Sequence, residues 1–454
     1  MDPFHYDQGQ LYCEQVPIAR LAEQYGTPLY VYSEAAFVGQ LKALHEAFAA
    51  LDPLVCYSVK ASSNLGILRL LAGHGSGFDV VSQGELLRVK EAGGDPGKTV
   101  FAGVGKTDEE IAAGLDAGVL MFNVESEAEL EAIARVAAAR GVKAPVAPRI
   151  NPDVDPKTHR YISTGNKQSK FGMDIERSIR LAEAARDMPS IAMIGMHMHI
   201  GSQITTVEPY AKAVARGVEV IGRLRELGHP IAWYNIGGGY GIAYRGPEAK
   251  AIREFADVIV PAVKSTGCRL ALEPGRVIAG NAGLLVSRVI FTKQSGDKRF
   301  LIQDAAMNDL IRPSLYEAFH PDLARESAQG DDRAAQGLRG RPARQRTVGH
   351  RRPRLRIGRL PGQGPPLADD GTRRPARHLL GRRVWDGDGL ELQHQAPGRR
   401  GARGGRSGQA GPTPRDLRRP AGGRADLRPD PRNTRWCGYS WAVLVWVAPH
   451  PSQR

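Results

Sequence analysis

The sequence predicts an α/β protein centred on a (β/α)8 barrel of the TIM type, with an incomplete β domain from both chain ends and a largely irregular C-terminal tail. From about residue 54 to residue 276, short apolar runs alternate with longer segments in which apolar residues recur every three or four positions. Such alternation of strand and helix is typical of a parallel sheet. Eight units in about 220 residues fit a closed barrel better than an open sheet.

The predicted barrel strands are the apolar, β-rich runs between helical segments. They cover residues 54–59, 78–81, 99–102, 119–124, 146–150, 192–197, 231–236 and 269–272. Three of the helices between them open on a capping box, in which a Ser or Thr is followed three residues later by Glu. The pairs are Ser82 with Glu85, Thr107 with Glu110, and Ser126 with Glu129.

Outside the barrel, both flanks contain extended patterns. Residues 28–33 read PLYVYS, and residues 284–293 and 300–304 read LLVSRVIFTK and FLIQD. We therefore predict three regions: a partial β domain from residues 1–35 and 277–321, a barrel over 36–276, and a tail over 322–454. We expect the strand pattern to stop near Pro321.

The charge of the chain is divided unevenly. Residues 331–454 contain 27 Arg, no Lys and 10 Asp+Glu, whereas the first 330 residues have a net charge of −3. The tail is rich in Gly and Pro and has almost no apolar periodicity. It therefore cannot bury enough apolar surface to offset the conformational entropy that it would lose on folding. One interpretation is a disordered arm that binds nucleic acid. The other is an out-of-frame reading of a GC-rich gene, which the absence of Lys favours.

Several classes of protein are excluded by the remaining composition. No run of 18 apolar residues is present, so we expect no transmembrane helix, and the N-terminus does not resemble a secretory signal. The four cysteines are widely scattered and form neither a disulfide framework nor a CxxC metal site. We therefore expect a cytoplasmic protein with reduced thiols and no metal.

Lys60 follows the first predicted barrel strand. Its side chain is expected at the mouth of the barrel, where active sites of this architecture lie. Desolvation there would make the amine a nucleophile toward aldehydes. The alternative is an ordinary lysine that turns to solvent at the end of a strand.

Two further segments follow the seventh and eighth predicted strands. The run NIGGGYG at 235–241 allows close backbone approach to an anion, although it also fits a plain tight turn. In EPGR, Glu273 would hold a protonated ring nitrogen and Arg276 would pair with phosphate or carboxylate. A Glu–Arg ion pair on a loop is the alternative.

The segment HMHIGSQ follows the sixth predicted strand. We expect a stacking or hydrogen-bonding role for His199, and we interpret His197 as a core histidine rather than a zinc ligand. Asp79 ends the second strand, either as a partner of the site or as a strand cap. An amine, an anion-binding loop and an acid at one mouth are what pyridoxal 5'-phosphate requires.

The chain resembles the diaminopimelate decarboxylases, which belong to the alanine-racemase-like, fold type III class of pyridoxal-phosphate enzymes. The resemblance covers residues 10 to about 321. It rests on YSVKASSN, FDVVSQGE, KFGM, HMHIGSQI, NIGGGYGI, EPGR and MNDLIRPSLYEAFHP, in family order. It implies a carboxy-lyase of lysine biosynthesis, which converts meso-diaminopimelate to L-lysine and CO2, and it implies a homodimer.

The resemblance also implies roles for individual residues. Lys60 would form the covalent link to the cofactor aldehyde, His199 would stack on the ring, and Glu273 would pair with the ring nitrogen. The remaining cofactor contacts would come from Asp79, Ser202, Gly238, Gly239 and the backbone of Gly275 and Arg276. The substrate carboxylates would be bound by Arg276, Arg312 and Tyr316.

The chain departs from the family pattern after Pro321. Family members continue with a β domain that carries a Cys-Glu-Ser-Gly-Asp motif, and this motif is absent here. The departure coincides with the change in composition, which supports the out-of-frame interpretation. Two alternatives stay open: an ornithine- or arginine-type decarboxylase of the same class, and an inactive barrel whose basic arm, residues 331–454, binds nucleic acid.

Overall fold

The computed structural model describes residues 3–155, 170–244, 249–296, 298–316, 318–320, 322–324 and 441–445. The chain begins with a small antiparallel sheet and then passes through a helix, a strand and a second helix. These elements are β1 (Phe4–Asp7), β2 (Gln10–Cys13), β3 (Val16–Pro17), α1 (Ile18–Tyr25), β4 (Leu29–Tyr32) and α2 (Glu34–Ala47).

The predicted (β/α)8 barrel is confirmed. Its strands, together with the short additional strands β10 and β11 beside β9, are β5 (Leu54–Ser58), β6 (Gly77–Val80), β7 (Thr99–Phe101), β8 (Met121–Val124), β9 (Ala144–Asn151), β10 (Met173–Asp174), β11 (Ile191–Met193), β12 (Gly195–Met198), β13 (Trp233–Asn235) and β14 (Arg269–Leu272). The eight barrel strands are parallel, and β14 closes the ring on β5 with Leu272 opposite Val55. The observed strand boundaries differ from the predicted ones by no more than three residues.

Helices pack their apolar faces against the barrel strands to form the main core. They are α3 (Leu65–Gly73), α4 (Gln83–Glu91), α5 (Asp108–Ala117), α6 (Glu127–Arg140), α7 (Ile175–Ala185), α8 (Glu208–Glu226), α9 (Ile252–Thr266) and the single turn α10 (Arg276–Ala279). Short 3-10 turns cover Ala49–Leu51, Val59–Ala61 and Pro96–Lys98.

The predicted capping boxes are complete at only one helix. Thr107 and Glu110 form both reciprocal bonds at the start of α5. At α6, Ser126 caps the N–H of Glu129, but the Glu129 carboxylate accepts from the N–H of Glu125, one residue before the cap. The start of α4 follows this second pattern. The glutamates at these two helices are buried, and each binds the backbone N–H one residue before the cap in place of the N–H of the cap residue itself.

The interior of the barrel has two layers that follow from strand alternation. The lower layer is apolar and consists of Cys56, Val100, Met121, Ala147, Trp233 and Ala271. Two residues further along the strands, side chains point inward again. There the chain carries a polar layer, which consists of Ser58, Asp79, Asn123, Arg149, His197, Asn235 and Glu273. The polar layer therefore lies toward the carboxyl ends of the strands, where active sites of such barrels are built.

Both flanks of the barrel contribute to one further sheet, as the sequence predicts. Its elements after the barrel are β15 (Gly283–Ser295), β16 (Lys298–Gln303), α11 (Arg312–Tyr316), β17 (Asp322–Ala324) and β18 (Trp441–Val445). The strand β4 pairs antiparallel with β15, with Val31 opposite Leu284.

Two strands lie beyond the point where we expect the pattern to stop. The apolar run Trp441–Val445 pairs with β15 and with β17, Asp322–Ala324, because the edge of β15 offers unpaired backbone groups. The rest of the predicted tail, 322–454, lies outside the described residues. In the part of the chain that the structure describes, no helix combines the length and the apolar character needed to cross a membrane.

Candidate active site

Lys60 lies in the 3-10 turn directly after β5, at the mouth of the barrel. Its Nζ donates a hydrogen bond to Asp79 Oδ2 at 3.0 Å. The Asp79 side chain is fully buried, whereas 29% of the Lys60 side chain is exposed. Ser58 Oγ donates to the same Asp79 oxygen at 2.6 Å, since the two residues are paired in register on β5 and β6. The amine is therefore held by a buried carboxylate and still faces the open end of the barrel.

Glu273 follows β14 and is surrounded by hydrogen-bond donors. The side-chain amides of Asn123 and Asn235 donate to its Oε1 at 2.8 Å and 2.6 Å. His197 Nε2 lies 3.2 Å from its Oε2. Since an ionised carboxylate only accepts hydrogen bonds, the hydrogen of this contact lies on Nε2. The arrangement is suited to a glutamate that must remain an anion inside the protein.

The two buried carboxylates have pKa values shifted in opposite directions. Burial raises the pKa of Asp79 above its ordinary range, and the negative charge of Glu273 adds to this, although Lys60 opposes it. Burial alone would also raise the pKa of Glu273. The nearby His197 and Lys60, with the hydrogen bond from Asn235, outweigh burial and hold that pKa well below its ordinary value.

The glycine run after β13 lies close to two other backbone segments. A Cβ on Gly238 would lie 1.9 Å from the carbonyl oxygen of Glu273. Gly239 has a φ of +106°, and a Cβ there would lie 2.0 Å from the carbonyl oxygen of Gly201. Only glycine allows this approach, so the run is more than an ordinary tight turn. The result is a mouth lined by bare backbone between the loops that follow β12 and β13.

His199 stands on this glycine run. Its Nδ1 accepts a hydrogen bond from the N–H of Gly238 at 3.3 Å, and its ring packs where Gly237 has no side chain. His197, two residues earlier, points into the polar layer and is 1% exposed. The two histidines therefore have different partners: His199 contacts the backbone of the glycine run, and His197 contacts the carboxylate of Glu273.

Two arginines converge on the ring of Tyr244. The guanidinium of Arg276 lies 6.0 Å from the ring centroid and donates to the Tyr244 hydroxyl. It also donates to Ser202 Oγ at 3.2 Å. The guanidinium of Arg312, on α11, lies 5.1 Å from the same centroid. Two positive charges therefore flank one aromatic ring beside the loops of the mouth.

The structure brings most of the predicted site residues into contact with one another. Gly275 directly precedes α10 and lies against Ser58, where a Cβ on the glycine would be 3.1 Å from the Ser58 Cβ. Tyr316 is half-buried and lies four residues after Arg312 on α11. Among the described residues, no group of three or more His, Cys, Asp or Glu side chains is placed to hold a metal ion.

The prediction from sequence leaves out three residues of the site and describes a fourth incompletely. His197 is interpreted there as a core histidine, but it contacts Glu273, so that interpretation is incomplete. Asn123 and Asn235 stand inside apolar runs, and a lone amide near the end of such a run is the signal that would find them. Tyr244 has no sequence signal, because its role depends on two arginines that are distant along the chain.

Comparison with known proteins agrees with this geometry. Residues 34–280 match the family model described as "Pyridoxal-dependent decarboxylase, pyridoxal binding domain". The diaminopimelate decarboxylase of Vibrio cholerae is 47% identical over 333 residues, which is 73% of this chain and 80% of that protein. The crystal structure of diaminopimelate decarboxylase from Helicobacter pylori complexed with L-lysine is 38% identical. It has a TM-score of 0.66 and covers 68% of this chain and 78% of that one.

A more distant structure shares the fold alone. The lysine/ornithine decarboxylase of Vibrio vulnificus, in complex with cadaverine, is 23% identical with a TM-score of 0.59, over 68% of this chain and 78% of that chain. The family match covers more than half of this chain, and the 47% identity extends over most of the Vibrio cholerae enzyme. The chain therefore belongs to the pyridoxal-dependent decarboxylase family and, within it, to the diaminopimelate decarboxylases.

Proposed function

We propose that this protein is a carboxy-lyase that uses pyridoxal 5'-phosphate to convert meso-diaminopimelate to L-lysine and CO2. The observation that carries this proposal is the joint placement, at one barrel mouth, of the Lys60 amine, the Glu273 anion and the two arginines beside Tyr244. The relatives from Vibrio cholerae and Helicobacter pylori are both named diaminopimelate decarboxylase, and the Helicobacter pylori structure was solved with L-lysine.

The residues of the site fit pyridoxal phosphate by their chemistry. A partly exposed amine, a buried anion and a loop of bare backbone match the aldehyde, the ring nitrogen and the phosphate of that group. Lys60 would hold the aldehyde, Glu273 the ring nitrogen, and His199 one face of the ring. The phosphate would be held by Ser202, Gly238, Gly239 and the backbone of Gly275 and Arg276. When bound, the group supplies an electron sink for the pair released with CO2.

Asp79 positions the amine of Lys60. Its Oδ2 accepts a hydrogen bond from Lys60 Nζ at 3.0 Å and another from Ser58 Oγ at 2.6 Å. Burial raises the pKa of Asp79, and the positive charge of Lys60 opposes that rise, so the carboxylate and the amine hold each other as an ion pair. In this assignment the pair fixes Nζ at the mouth of the barrel, where the cofactor aldehyde would lie.

The two arginines favour a substrate with two carboxylates. Ornithine and arginine carry one carboxylate, whereas diaminopimelate carries two, and each carboxylate left without a cation would lose a charge-assisted hydrogen bond. Arg276 and Arg312 provide two cations, and Tyr316 provides a hydroxyl on the same helix as Arg312. In this assignment the selectivity rests on carboxylate recognition.

The direct test compares substrates on the purified full chain with added pyridoxal phosphate. We expect CO2 release from meso-diaminopimelate and little from L-ornithine or L-arginine, with no release from Lys60→Ala. The Lys60→Ala protein should also lack the visible absorbance of the covalently held cofactor. Faster release from ornithine than from diaminopimelate would contradict the substrate assignment.

A second prediction concerns Arg312. Arg312→Gln removes a cation from the substrate side of the mouth, so KM for diaminopimelate should rise about 10-fold or more, in line with a lost charged hydrogen bond. The affinity for pyridoxal phosphate, measured by absorbance titration, should change little. Ser314→Ala, on the same short helix, is the matched control. Equal loss of cofactor and substrate affinity in Arg312→Gln would instead indicate a structural role.

We further propose that the enzyme is a cytoplasmic homodimer. The three cysteines among the described residues, Cys13, Cys56 and Cys268, are buried free thiols, which supports a reducing compartment. Sedimentation of the purified chain tests the dimer, for which a monomer at micromolar concentration would be the contrary result.

We also propose that the tail over 322–454 is read out of frame. The Vibrio cholerae match uses 73% of this chain, and the last 124 residues contain 27 Arg and no Lys. The gene, read in all three forward frames from codon 315, should then encode Cys-Glu-Ser-Gly-Asp and a β-rich region in another frame. If no frame does so, the arm is genuine. Nucleic-acid binding with a steep salt dependence would then be the property to measure.

A further inference from the structure

We propose that His197 is a positioning residue: its Nε2–H, together with the amides of Asn123 and Asn235, holds the Glu273 carboxylate in one orientation for the cofactor ring nitrogen. This inference rests on the proposed function and deepens it, since it concerns the group that supports the ring. His197 touches neither substrate nor cofactor in this assignment, and it acts through Glu273.

The three donors divide between the two carboxylate oxygens. Asn123 and Asn235 both donate to Oε1, at 2.8 Å and 2.6 Å, and His197 Nε2 lies 3.2 Å from Oε2. An ionised carboxylate accepts about four hydrogen bonds, two on each oxygen. Oε1 is therefore filled, whereas Oε2 has one acceptor position left. The His197 contact fixes the plane of the carboxylate and so the direction of that remaining position.

The strands give this arrangement little freedom. His197 is paired in register with Arg149 on one side and with Asn235 on the other, and Asn235 is paired with Ala271 of the strand that leads to Glu273. His197 is 1% exposed and Glu273 7% exposed. Water therefore has poor access, and protein groups must supply the hydrogen bonds of the carboxylate.

The second ring nitrogen of His197 supports a functional role. Within the part of the chain that the structure describes, the buried Nδ1 has no hydrogen-bond partner. An unsatisfied buried polar atom is unfavourable, and an apolar side chain at this position would avoid that penalty. Packing alone therefore gives no reason for a histidine here, whereas the donation from Nε2 to Glu273 does.

A matched pair of substitutions separates the donor from the bulk of the side chain. In His197→Gln, the amide nitrogen reaches about as far as Nε2 and keeps the donor, whereas in His197→Asn it stops near the place of Nδ1. His197→Met keeps the volume without a donor. The affinity for pyridoxal phosphate is measured by absorbance titration in the absence of substrate, and kcat and KM are measured with diaminopimelate.

We expect His197→Asn and His197→Met to weaken cofactor binding about 10-fold or more and to lower kcat about 10- to 100-fold, with KM changed less than about 3-fold, because a charged hydrogen bond is lost away from the substrate. His197→Gln should restore most of both losses. If Gln is as impaired as Asn, or if Asn and Met behave as the wild type does, the inference is overturned. Cofactor titration needs no substrate, so this result stands apart from any error in the substrate assignment.

A measurement on the unmodified protein covers the case in which a variant fails to fold. Nitrogen-15 labelling of histidine, with the His197 signals assigned by their loss in His197→Gln or by proximity to a labelled Asn235 amide, reports which ring nitrogen carries the hydrogen. We expect hydrogen on Nε2, with and without pyridoxal phosphate. A neutral ring protonated on Nδ1 would contradict the donation to Glu273 and overturn the inference.

Discussion

Glu273 is a buried carboxylate whose ionisation is supported by its neighbours. Burial disfavours the negative charge of Glu273. Two amides, a histidine and the amine of Lys60 stabilise that charge and outweigh burial, so the pKa of Glu273 is lowered. A carboxyl group with a lowered pKa in the folded protein stabilises the fold at pH values above its unfolded value. That contribution is lost as the pH falls below 4.5, the ordinary value for this side chain, toward the lower folded value.

Glu273→Gln should therefore cost more stability at neutral pH than in acid. The amide of the glutamine would place its N–H groups either against those of Asn123 and Asn235 or against the Nε2–H of His197, at a cost of about 1–3 kcal/mol. Urea unfolding of the cofactor-free protein at pH 7 and at pH 4 measures the difference between wild type and variant. We expect the difference to shrink at pH 4, where the wild type begins to lose its advantage.

Asp79→Asn gives a contrast with the opposite sign. Burial raises the pKa of Asp79, so its ionisation costs folding free energy as the pH rises. Asp79→Asn also alters the contacts with Lys60 and Ser58, at a cost that does not follow this titration. The stability of Asp79→Asn relative to the wild type should therefore improve, not worsen, from pH 4 to pH 7. A pH dependence of Glu273→Gln that is the same as that of Asp79→Asn would contradict the assignment of opposite shifts.

At the scale of elements, the barrel strands explain which parts of the site can be predicted from sequence. Lys60 and Glu273 stand just after apolar strands, where a charged side chain is conspicuous, and both are predicted. Asn123 and His197 lie within the runs themselves. Whether such a side chain points into the barrel or onto a helix depends on ring closure and on the register of neighbouring strands. That information is not local, so these contacts emerge only in three dimensions.

A buried ionic network lies on the flank of the barrel. Lys106, between β7 and α5, has a fully buried amine that donates to Glu129 at 2.6 Å and to the carbonyl oxygens of Gly103 and Asn123 at 2.8 Å and 2.9 Å. The side chain of Asn123 also donates to Glu273. The bond from Lys106 to the Asn123 carbonyl oxygen therefore supports the strand β8 next to the site.

Lys106→Met should destabilise the protein strongly. It leaves the carboxylate of Glu129 buried without its cation, and removal of one partner of a buried pair costs about 3–5 kcal/mol. The matched control is Arg177→Met. Its ion pair with Glu127 joins α7 to α6 at 2.6 Å but is about half exposed on both sides, so its removal should leave the melting temperature nearly unchanged. Thermal unfolding of the two variants makes the comparison, and equal shifts would contradict it.

At the scale of the whole molecule, the sheet outside the barrel has an exposed apolar ribbon, formed by β15 and β16. Phe291 is opposite Ile302, and Lys293 is opposite Phe300, so the three apolar side chains share one face of this antiparallel pair. They are 67%, 42% and 43% exposed, respectively for Phe291, Ile302 and Phe300. An exposed apolar ribbon of this kind favours association with other chains.

Phe291→Lys should therefore reduce association of the chain without loss of the site. The substitution places a charge in the centre of the apolar face, whereas Ala139→Lys places the same charge on the exposed surface of α6, outside the ribbon, and serves as the matched control. Light scattering over a concentration series should show weaker association for Phe291→Lys alone, and cofactor affinity should be unchanged in both because neither position belongs to the site. If both lysines act equally, net charge rather than the apolar face governs association, and if neither acts, the ribbon is not an association surface.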